Sequence, residues 1–368
     1  MNEISTIAVN TPSRAYEVHV GCGILDYVGS LVRNVASPRS VLLVSDTNVY
    51  PLYSERVVSS LSSIGFEVFS HVFEAGEKSK RLSTVEKMLE DMAEASLTRQ
   101  DCVVALGGGV CGDMAALAAS LYLRGISVVQ IPTSLLAMVD SSIGGKSAVD
   151  LAHGKNLAGT FLQPCVVAVD PTCLSTLSDE LFRDSCGEVI KHAVLADPAM
   201  LRRITDRPLT SYHRDDPDDC EALGRIIAEN IQIKERVVRA DERESGLRQT
   251  LNLGHTVGHA IEAASDFTLG HGTCVAIGLC CVSRAGVRLG WCKQSVATDI
   301  ARAVRAHGLP TDVAMDHDLL MTYAAHDKKR LAGGVNLVVP LRIGEVEVRR
   351  VSLDVIKRVI DLGLGTKA

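Results

Sequence analysis

The sequence predicts an α/β fold, with an N-terminal Rossmann-like, doubly wound α/β domain followed by a mainly α-helical domain. In the first half, apolar runs of strand length, such as RSVLLVS at 39–45, alternate with segments of helical periodicity. This alternation is typical of a parallel sheet covered by helices. After about residue 178 helical periodicity continues, with no further strand-like run before VNLVVPL at 335–341. We therefore expect two domains, covering 1–178 and 179–368.

Local patterns predict the elements of the first half. Apolar or alternating runs predict strands at 39–45, 66–73, 102–106 and 126–132. A helix is predicted over 83–97, with Ser83 as its N-cap. A second helix follows the glycine-rich loop after the strand CVVAL.

The second half contains five segments of helical periodicity, at 179–196, 219–239, 247–265, 272–289 and 294–307. NLVVPL and EVEVRR, joined at Arg342–Gly344, have the pattern of a β-hairpin. The segment 351–363 predicts a closing helix that ends at Gly363. Because ligand pockets favour domain interfaces, we expect the functional site in the cleft between the two domains.

The composition narrows the class of function. The 368 residues are 46% hydrophobic and 22% charged, enough for a large buried core. A formal net charge of −6 argues against nucleic acid as the main partner. An anionic substrate therefore requires a local cluster of Lys and Arg side chains.

The N-terminal segment lacks the basic and apolar regions of a signal peptide. No uncharged apolar run approaches the ~20 residues of a membrane span. Eleven cysteines are scattered without CxxC spacing, which favours reduced, mostly structural thiols. These features predict a cytoplasmic protein without a membrane partner.

A polar stripe is predicted along the helix over 247–265. Arg248 and Asn252 are four residues apart, as are His255 and His259, and such spacings place side chains on one helix face. Apolar residues surround the stripe, which indicates a site along a buried helix. Two histidines at this spacing are also common as surface or core residues, so the pair alone leaves both interpretations open.

Further polar residues favour a metal site. The zinc-protease pattern HExxH is absent, because Thr256 follows His255. However, His271 in GHG, and Glu188 and Lys191 in CGEVIKH, supply additional polar groups from separate segments. Nitrogen and oxygen ligands from three segments are compatible with an open, catalytic zinc site.

The glycine-rich loop predicts an anion site. Gly107–Gly109 follow a strand and precede a helix, so bare backbone N–H groups beside a helix N-terminus can bind a pyrophosphate. Glycine is also common in tight turns between a strand and a helix, so the three glycines can instead have a purely structural role. If the bound anion is the pyrophosphate of a dinucleotide, Asp46, which follows an earlier strand, can bind a ribose hydroxyl of that dinucleotide. Glu77 and Lys80 can contact the same molecule, or they can be charged side chains exposed to solvent.

Eight motifs occur together in order: GGGVCGD, RG at 124–125, IPTSLLAMVDSSIGGKSAVD, GKNLAG, GEVIKH, DERESGLRQTLNLGHTVGHAIE, LGHG and HDKK. From about residue 40 to 345 the chain resembles the 3-dehydroquinate synthases, a family of sugar phosphate cyclases. The resemblance implies conversion of 3-deoxy-D-arabino-heptulosonate 7-phosphate to 3-dehydroquinate and phosphate, a shikimate-pathway step in aromatic amino-acid biosynthesis.

The resemblance also implies roles for individual residues. The implied ligands of a divalent metal, zinc or else cobalt, are Glu188, His255 and His271. The implied NAD-binding residues are Asp46, Asn48, Glu77, Lys80, Gly108, Gly109, Asp113, Thr133, Ser134 and Lys155. The implied catalytic residues are Lys146, Lys191, Lys234, Glu244, Arg248, Asn252 and His259, and the implied substrate-binding residues are Arg124, Asp140, Asn156 and Lys328. Lys329 is an equal candidate to Lys328, and Arg124 is expected to reach a neighbouring subunit's phosphate site in a homodimer.

The implied reaction is a cycle without net redox change. The metal polarises a substrate hydroxyl, NAD accepts a hydride and later returns it, and phosphate leaves by elimination between these steps. Ring opening and an aldol closure follow. His259 is expected to relay protons rather than bind the metal, and six basic residues are expected to offset the substrate's roughly three negative charges.

The sequence is compatible with three alternative functions. One is another sugar phosphate cyclase, acting on sedoheptulose 7-phosphate or glucose 6-phosphate. The second is an NAD-dependent polyol dehydrogenase of the same fold, and the third is a metal or nucleotide sensor. Arg248 and Asn252 suit a substrate carboxylate and favour dehydroquinate synthesis, whereas Asp150, where the family usually has Asn, puts phosphate handling in question.

Overall fold

A computed structural model describes residues 4–326 and 334–365. The strands in these ranges are β1 (Ser5–Asn10), β2 (Ala15–Val20), β3 (Ser40–Asp46), β4 (Glu67–Phe73), β5 (Cys102–Gly107), β6 (Ser127–Pro132), β7 (Lys146–Leu151), β8 (Gly154–Phe161), β9 (Val166–Val169), β10 (Val335–Arg342) and β11 (Glu345–Val351). The α-helices are α1 (Val28–Val35), α2 (Tyr50–Ser63), α3 (Leu82–Glu94), α4 (Gly109–Leu121), α5 (Asp179–Ala196), α6 (Pro198–Asp206), α7 (Pro217–Ala240), α8 (His255–Ala264), α9 (His271–Arg288), α10 (Gln294–Ala306), α11 (His317–His326) and α12 (Leu353–Gly363). In this described part, no helix combines the length and hydropathy needed to cross a membrane.

The chain divides into two compact units. Unit 1 comprises 1–176 and 213–243, and unit 2 comprises 177–212 and 244–368. We predicted a single boundary at residue 178, with all later residues in the helical domain. In the structure, α7 lies after that boundary but belongs to the α/β unit. Helix α7 packs against β1 and β2, a long-range contact that helical periodicity does not reveal.

Unit 1 is built on a sheet of order β1-β2-β9-β6-β5-β3-β4 among the described residues. Only the β1–β2 pairing is antiparallel, so the predicted doubly wound, parallel sheet is confirmed. The strands β3, β5 and β9 are nearly continuous apolar runs because neighbouring strands and helices bury them. From β3 the chain first adds β4 on one side and then β5 on the other. The carboxyl ends of β3 and β5 therefore flank a topological switch point, where open α/β sheets bind ligands.

Two local predictions for unit 1 need correction. Helix α3 begins at Leu82, and its N-cap position is Arg81 without a side-chain cap, so Ser83 is not the N-cap. The antiparallel hairpin β7–β8 was not predicted at all. Its strands, KSAVDL and GKNLAGTF, are rich in small and polar residues and lack the apolar alternation that identifies a strand.

Asp101 joins the starts of two central strands. Its carboxylate accepts hydrogen bonds from the backbone N–H groups of Arg39, Ser40 and Thr98, and from the Thr98 hydroxyl, at 2.7–3.0 Å. Burial raises the pKa of Asp101, but these hydrogen bonds outweigh burial and lower the pKa below its ordinary value. The ionised carboxylate therefore stabilises the fold.

We expect Asp101→Ala to lower the free energy of unfolding at neutral pH by roughly 2–3 kcal/mol, since buried N–H groups lose their acceptor. Because the folded pKa is lowered, the contribution is present above the unfolded pKa of ~4 and lost as pH falls through the folded value. Urea unfolding at pH 7 and near pH 3 measures this difference, which should shrink at the lower pH. The exposed Glu94→Gln serves as control, and a difference independent of pH would contradict the assignment.

Unit 2 is mainly helical, as predicted. Helix α9 is central and packs against α5, α8, α10 and α12. Its apolar core includes Val257, Ile277 and Ile360, and the hairpin β10–β11 matches the predicted pair of strands.

The predicted continuous helix over 247–265 is wrong. A short 3-10 helix covers Leu247–Asn252, and α8 starts only at His255. The break lies at Gly254, whose φ of +81° favours glycine, and an added Cβ there would lie 2.9 Å from the Val275 carbonyl oxygen. Arg248 and Asn252 therefore do not share one helix face with His255 and His259.

Candidate functional site

Three helices of unit 2 bring Glu188, His255 and His271 together. Glu188 lies in α5 and is fully buried, and its Oε1 is 3.3 Å from His255 Nε2 and 3.2 Å from His271 Nε2. The nitrogens belong to the first residues of α8 and α9. One potential ligand atom from each residue lies within 4.8 Å of the others. We call these three residues the metal-site triad.

Lys191 balances the charge of the buried carboxylate. Its ammonium group forms an ion pair with Glu188 Oε2, one turn away on α5, and Lys191 is itself 1% exposed. Burial raises the pKa of Glu188, but Lys191 and His255 outweigh burial, so the pKa lies well below its ordinary value. Glu188 is therefore ionised at neutral pH.

Close packing of α5 against α9 sets the Glu188–His271 distance. A Cβ added to Gly187 would lie 2.0 Å from the Gly272 carbonyl oxygen, so only glycine allows this approach. Asp184, one turn before Glu188, accepts hydrogen bonds from the N–H groups of Gly272 and Thr273 at 3.1 and 2.7 Å. These hydrogen bonds pair backbone N–H groups in the first turn of α9, which have no partner within the helix. They also hold α9, which begins with His271, against α5.

His255 presents an unprotonated nitrogen to Glu188. Its Nδ1 lies 3.2 Å from the carbonyl oxygen of Leu253, which can only accept, so Nδ1 carries the proton. Burial lowers the pKa of His255 to about 4, although Glu188 raises it. At neutral pH the ring is neutral, and the Nε2 lone pair faces Glu188.

His271 contacts two carboxylates. Its Nε2 faces Glu188, and its Nδ1 lies 3.3 Å from Oε2 of the buried Glu262 in α8. Burial lowers the pKa of His271, but the carboxylates of Glu188 and Glu262 outweigh it and raise the pKa to about 10. Glu262 thus fixes the orientation of the ring.

His259 completes a cluster of imidazoles. Its ring centroid lies 5.2 Å from that of His255 and 5.8 Å from that of His271. Unlike His255, it is exposed to solvent. This position allows His259 to exchange protons with a bound molecule and with water.

The other predicted catalytic residues of unit 2 lie around the short 3-10 helix. Arg248 is buried, with 1% of its surface exposed. Asn252 donates a hydrogen bond from Nδ2 to Oε1 of Glu244 at 2.9 Å, and Glu244 has a φ of +59°. A non-glycine residue in this conformation carries backbone strain, a feature often found at functional sites.

In unit 1, predicted cofactor residues line the carboxyl ends of β3, β5 and β6. Asp46 ends β3 and accepts hydrogen bonds from the N–H groups of Asn48 and Val49 at 2.9 and 3.0 Å. Gly108 is the N-cap residue of α4, and Gly109 is its first residue. The N–H groups of this helix terminus therefore lie at the topological switch point.

Thr133 and Ser134 follow β6, beside the glycine-rich loop. The N–H of Thr133 donates to the carbonyl of Gly107 at 3.0 Å. A Cβ added to Gly108 would lie 3.5 Å from Ser134 Oγ. The loops after β5 and β6 therefore form one continuous edge.

Lys80 is the centre of a second group in unit 1. It is 5% exposed, and its Nζ lies 2.7 Å from Asp113 Oδ2 and 2.6 Å from Asn156 Oδ1. Burial raises the pKa of Asp113, although Lys80 acts in the opposite direction. Glu77 lies 3.7 Å from Lys155 Nζ. Four predicted cofactor residues and Asn156 are therefore close together.

Asp140 and Lys234 form a third group. Lys234 Nζ in α7 donates to the carbonyl and to Oδ1 of Asp140, both at 2.5 Å. Asp140 belongs to a π-helical turn, Ala137–Ser141, an irregular geometry frequent at functional sites. Lys146 is exposed at the start of β7, after the positive-φ residues Gly144 and Gly145.

Arg124 is exposed and has a φ of +70°. Asp150 accepts a hydrogen bond from the N–H of Asn156 at 2.8 Å, so its carboxylate supports the turn of the β7–β8 hairpin. Lys328 and Lys329 lie outside the described residues. The roles of all these site residues remain predictions.

Sequence reasoning missed Asp184 and Glu262. Both had a detectable signal, since Asp184 is four residues before Glu188 and Glu262 is three after His259, spacings that share a helix face. However, Asp184 on α5 and Glu262 on α8 both make their contacts with the start of α9. Only the packing of these helices in unit 2 reveals such contacts.

Comparison with known families matches most of the chain. The model described as 3-dehydroquinate synthase N-terminal matches residues 70–184, and the C-terminal model matches residues 185–330. A curated 3-dehydroquinate synthase of Nostoc punctiforme is 41% identical over 97% of this chain and 99% of its own length. That of Clostridium acetobutylicum is 37% identical over 95% and 97%.

Solved structures are similar over almost the whole chain. A 2-deoxy-scyllo-inosose synthase complexed with carbaglucose-6-phosphate, NAD+ and Co2+ has a TM-score of 0.87 at 25% identity, covering 98% of this chain and 100% of its own. A 2-epi-5-epi-valiolone synthase from Streptomyces hygroscopicus with NAD+ and Zn2+ has a TM-score of 0.84 at 26% identity, with coverages of 94% and 95%. An NADH-dependent butanol dehydrogenase from Thermotoga maritima shares the fold, with a TM-score of 0.67 at 17% identity and coverages of 99% and 99%. Because both domain models and full-length relatives match, the chain belongs to the 3-dehydroquinate synthase family.

Proposed function

We propose that this protein converts 3-deoxy-D-arabino-heptulosonate 7-phosphate to 3-dehydroquinate and phosphate, as a lyase of the shikimate pathway. The observation that carries the proposal is the 41% identity to a curated 3-dehydroquinate synthase over 97% of the chain. The cyclases that act on other sugars match at only 25–26%. The dehydrogenase, at 17%, supports the fold alone.

The metal-site triad fits a divalent cation. The His255 Nε2 lone pair and the ionised Glu188 Oε1 face each other across 3.3 Å, an arrangement that favours a cation between them. Glu188 Oε1 lies 3.3 Å from His255 Nε2 and 3.2 Å from His271 Nε2, separations short enough for one ion to contact all three atoms. We infer that Glu188, His255 and His271 bind Zn2+ or Co2+. When bound, the ion supplies Lewis-acid polarisation of a substrate hydroxyl.

Glu262 is expected to tune this site through His271. Replacing Glu262 by Gln removes the charge that orients and polarises the ring, and we expect a 10–100-fold loss of metal affinity. Competition with a chelating dye measures that affinity without an activity assay. The exposed Glu180→Gln on α5 is the control, and unchanged affinity in Glu262→Gln would contradict the role.

NAD is proposed to bind unit 1 at the carboxyl ends of β3, β5 and β6. The N-terminus of α4 offers N–H groups for the pyrophosphate, and Asp46 offers a carboxylate for a ribose hydroxyl. The residues proposed to bind the rest of the cofactor are Asn48, Glu77, Lys80, Asp113, Thr133, Ser134 and Lys155. NAD supplies a hydride acceptor that returns the hydride within the same cycle, so the reaction has no net redox change.

The substrate's two acidic groups are proposed to bind basic side chains. Arg248 and Asn252 suit the carboxylate, because a guanidinium and an amide can both donate to it. Lys146, Lys191 and Lys234 offset the remaining charge, and Arg124, Asp140, Asn156 and Lys328 are proposed to contact the substrate. Glu244 orients Asn252 through the hydrogen bond between them. His259 transfers protons between the substrate and water.

We further propose that the protein is a homodimer. Leu121 and Leu123 beside Arg124 are 47% and 41% exposed, and Phe161 of β8 is 45% exposed. A hydrogen bond of 2.9 Å between Thr160 and Ser120 holds β8 against the end of α4, so these apolar groups lie on adjoining elements. Exposed apolar side chains on adjoining elements support a subunit interface at this surface.

Incubation with the seven-carbon phosphate, NAD+ and Zn2+ or Co2+ tests the activity. We expect stoichiometric phosphate and carbocycle with no accumulation of NADH. Sedoheptulose 7-phosphate and glucose 6-phosphate, which lack the carboxylate, should give no product. Accumulated NADH would indicate a dehydrogenase, and turnover of a sugar lacking the carboxylate would indicate another cyclase.

A further inference from the structure

Two cysteine thiols lie in contact outside the residues considered above. Sγ of Cys22, just after β2, is 2.8 Å from Sγ of Cys220 in the first turn of α7. This separation exceeds a disulfide bond by only about 0.8 Å. The residues are 198 positions apart, so the fold of unit 1 brings them together.

The elements that carry the pair are closely packed. Helix α7 packs against β1 and β2. Gly224 lies one turn after Cys220, and a Cβ added there would lie 3.2 Å from Pro171. The helix backbone therefore approaches this part of unit 1 closely and holds the two sulfur atoms at contact distance.

The pair is also accessible to small solutes. Nine of the eleven cysteines are buried, and the two partly exposed ones are Cys22 and Cys292. A surface cavity reaches Cys22, with Ser5, Glu221 and Arg225 in its wall. Cys220 lies beneath and is 4% exposed, so a solute that reaches the pair meets Cys22 first.

The contact also makes the two thiols chemically unequal. The hydrogen bond with Cys220 lowers the pKa of Cys22, against the opposing effects of burial and nearby carboxylates. The same contact, together with burial, raises the pKa of Cys220. The partly exposed Cys22 thiol is therefore the better source of a thiolate nucleophile.

We propose that Cys22 and Cys220 are a redox-active pair, which hydrogen peroxide converts to a disulfide in the folded protein. The Cys22 thiolate attacks one peroxide oxygen, forming an S–O bond and breaking the O–O bond. The released hydroxide takes up the proton that Cys22 lost and becomes water. The Cys220 sulfur then attacks the Cys22 sulfur, the S–O bond breaks, and the oxygen leaves as a second water with the Cys220 proton. Two thiols are oxidised by two electrons, and one peroxide is reduced to two waters.

The disulfide should stabilise unit 1 without altering the proposed site. It closes a long loop between residues 198 positions apart and so restricts the unfolded chain. The sulfur atoms need to move by less than ~1 Å. Lys234 lies fourteen residues beyond Cys220 on α7, about 21 Å along the helix. This inference is independent of the proposed activity.

Oxidation of the folded full-length protein with hydrogen peroxide tests the proposal. After free thiols are blocked, proteolysis without reductant and mass spectrometry should detect one peptide pair joining Cys22 to Cys220. Free thiols should fall by two, and Tm should rise by about 2–4 °C and return on reduction. Cys292→Ser should behave like the parent protein, whereas Cys22→Ser should show neither the cross-link nor the rise in Tm.

Three results would overturn the proposal. The first is oxidation of Cys22 to a sulfinic acid while Cys220 remains a thiol. The second is a cross-link that forms equally fast in urea-unfolded protein, because the fold would then contribute nothing. The third is an unchanged Tm after complete cross-linking. Cys22→Ser alters a partly exposed position, so the comparison does not depend on substituting the buried Cys220.

Discussion

Replacing Glu188 by Gln is expected to remove the bound metal and to lower kcat/KM at least ~10³-fold. The substitution takes away the only carboxylate of the metal-site triad, and Lewis-acid polarisation contributes several kcal/mol to such reactions. It also leaves the Lys191 ammonium, 1% exposed, without the ion pair that balances it. Metal analysis of the purified variant and steady-state kinetics measure the two effects.

Loss of the counter-charge can also destabilise the fold, by roughly 3–5 kcal/mol for a buried pair. Glu188→Asp separates the two causes, because it keeps the charge beside Lys191 but withdraws the carboxylate by one methylene. We expect this variant to remain folded and to bind metal weakly. Glu180→Gln, exposed on the same helix, is the matched control. Full metal content with full activity in Glu188→Gln would refute the proposed ligand set.

Replacing His259 by Ala is expected to slow turnover by 10²–10⁴-fold while metal content stays unchanged. His259 is solvent-exposed, and its ring centroid is 5.2 Å from that of His255. It is therefore placed to transfer protons, a role whose loss typically has this magnitude. If Glu188, His255 and His271 hold the metal, as proposed, His259 is not needed as a further ligand.

Kinetics and metal analysis on the same sample decide between a proton relay and a fourth ligand. His213→Ala, which removes an exposed histidine from unit 1, is the control. If His259→Ala instead loses metal in proportion to activity, His259 is a ligand. Partial recovery of turnover with added imidazole would support the relay.

Periodic segments were predicted well from sequence. The strands β3 and β5, the glycine-rich loop and the helices α5 and α9 agree with the predicted ranges to within a few residues. The apolar residues of these elements recur regularly, because each helix buries one continuous apolar face and each of these strands is buried on both faces. The hairpin β7–β8 was missed because its small, partly exposed residues lack such a pattern.

The break in the segment 247–265 shows where periodicity fails. The spacing of polar residues is compatible with one helix, but Gly254 adopts a left-handed conformation in close contact with Val275. The approach of α9, rather than local preference, ends the 3-10 helix there. Arg248 and Asn252 are therefore positioned independently of His255.

The amino-acid sequence by itself determined the fold class through its periodic patterns and the family through its ordered motifs, and the resemblance to that family predicted Glu188, His255 and His271 as metal ligands. Tertiary structure alone decided that α7 joins unit 1, that Asp184 and Glu262 support His271, and that Cys22 meets Cys220. The physical reason is the separation along the chain of the residues that are in contact. Spacing along the chain reports which side chains share one element, whereas contacts between distant segments arise only from the packing of those elements.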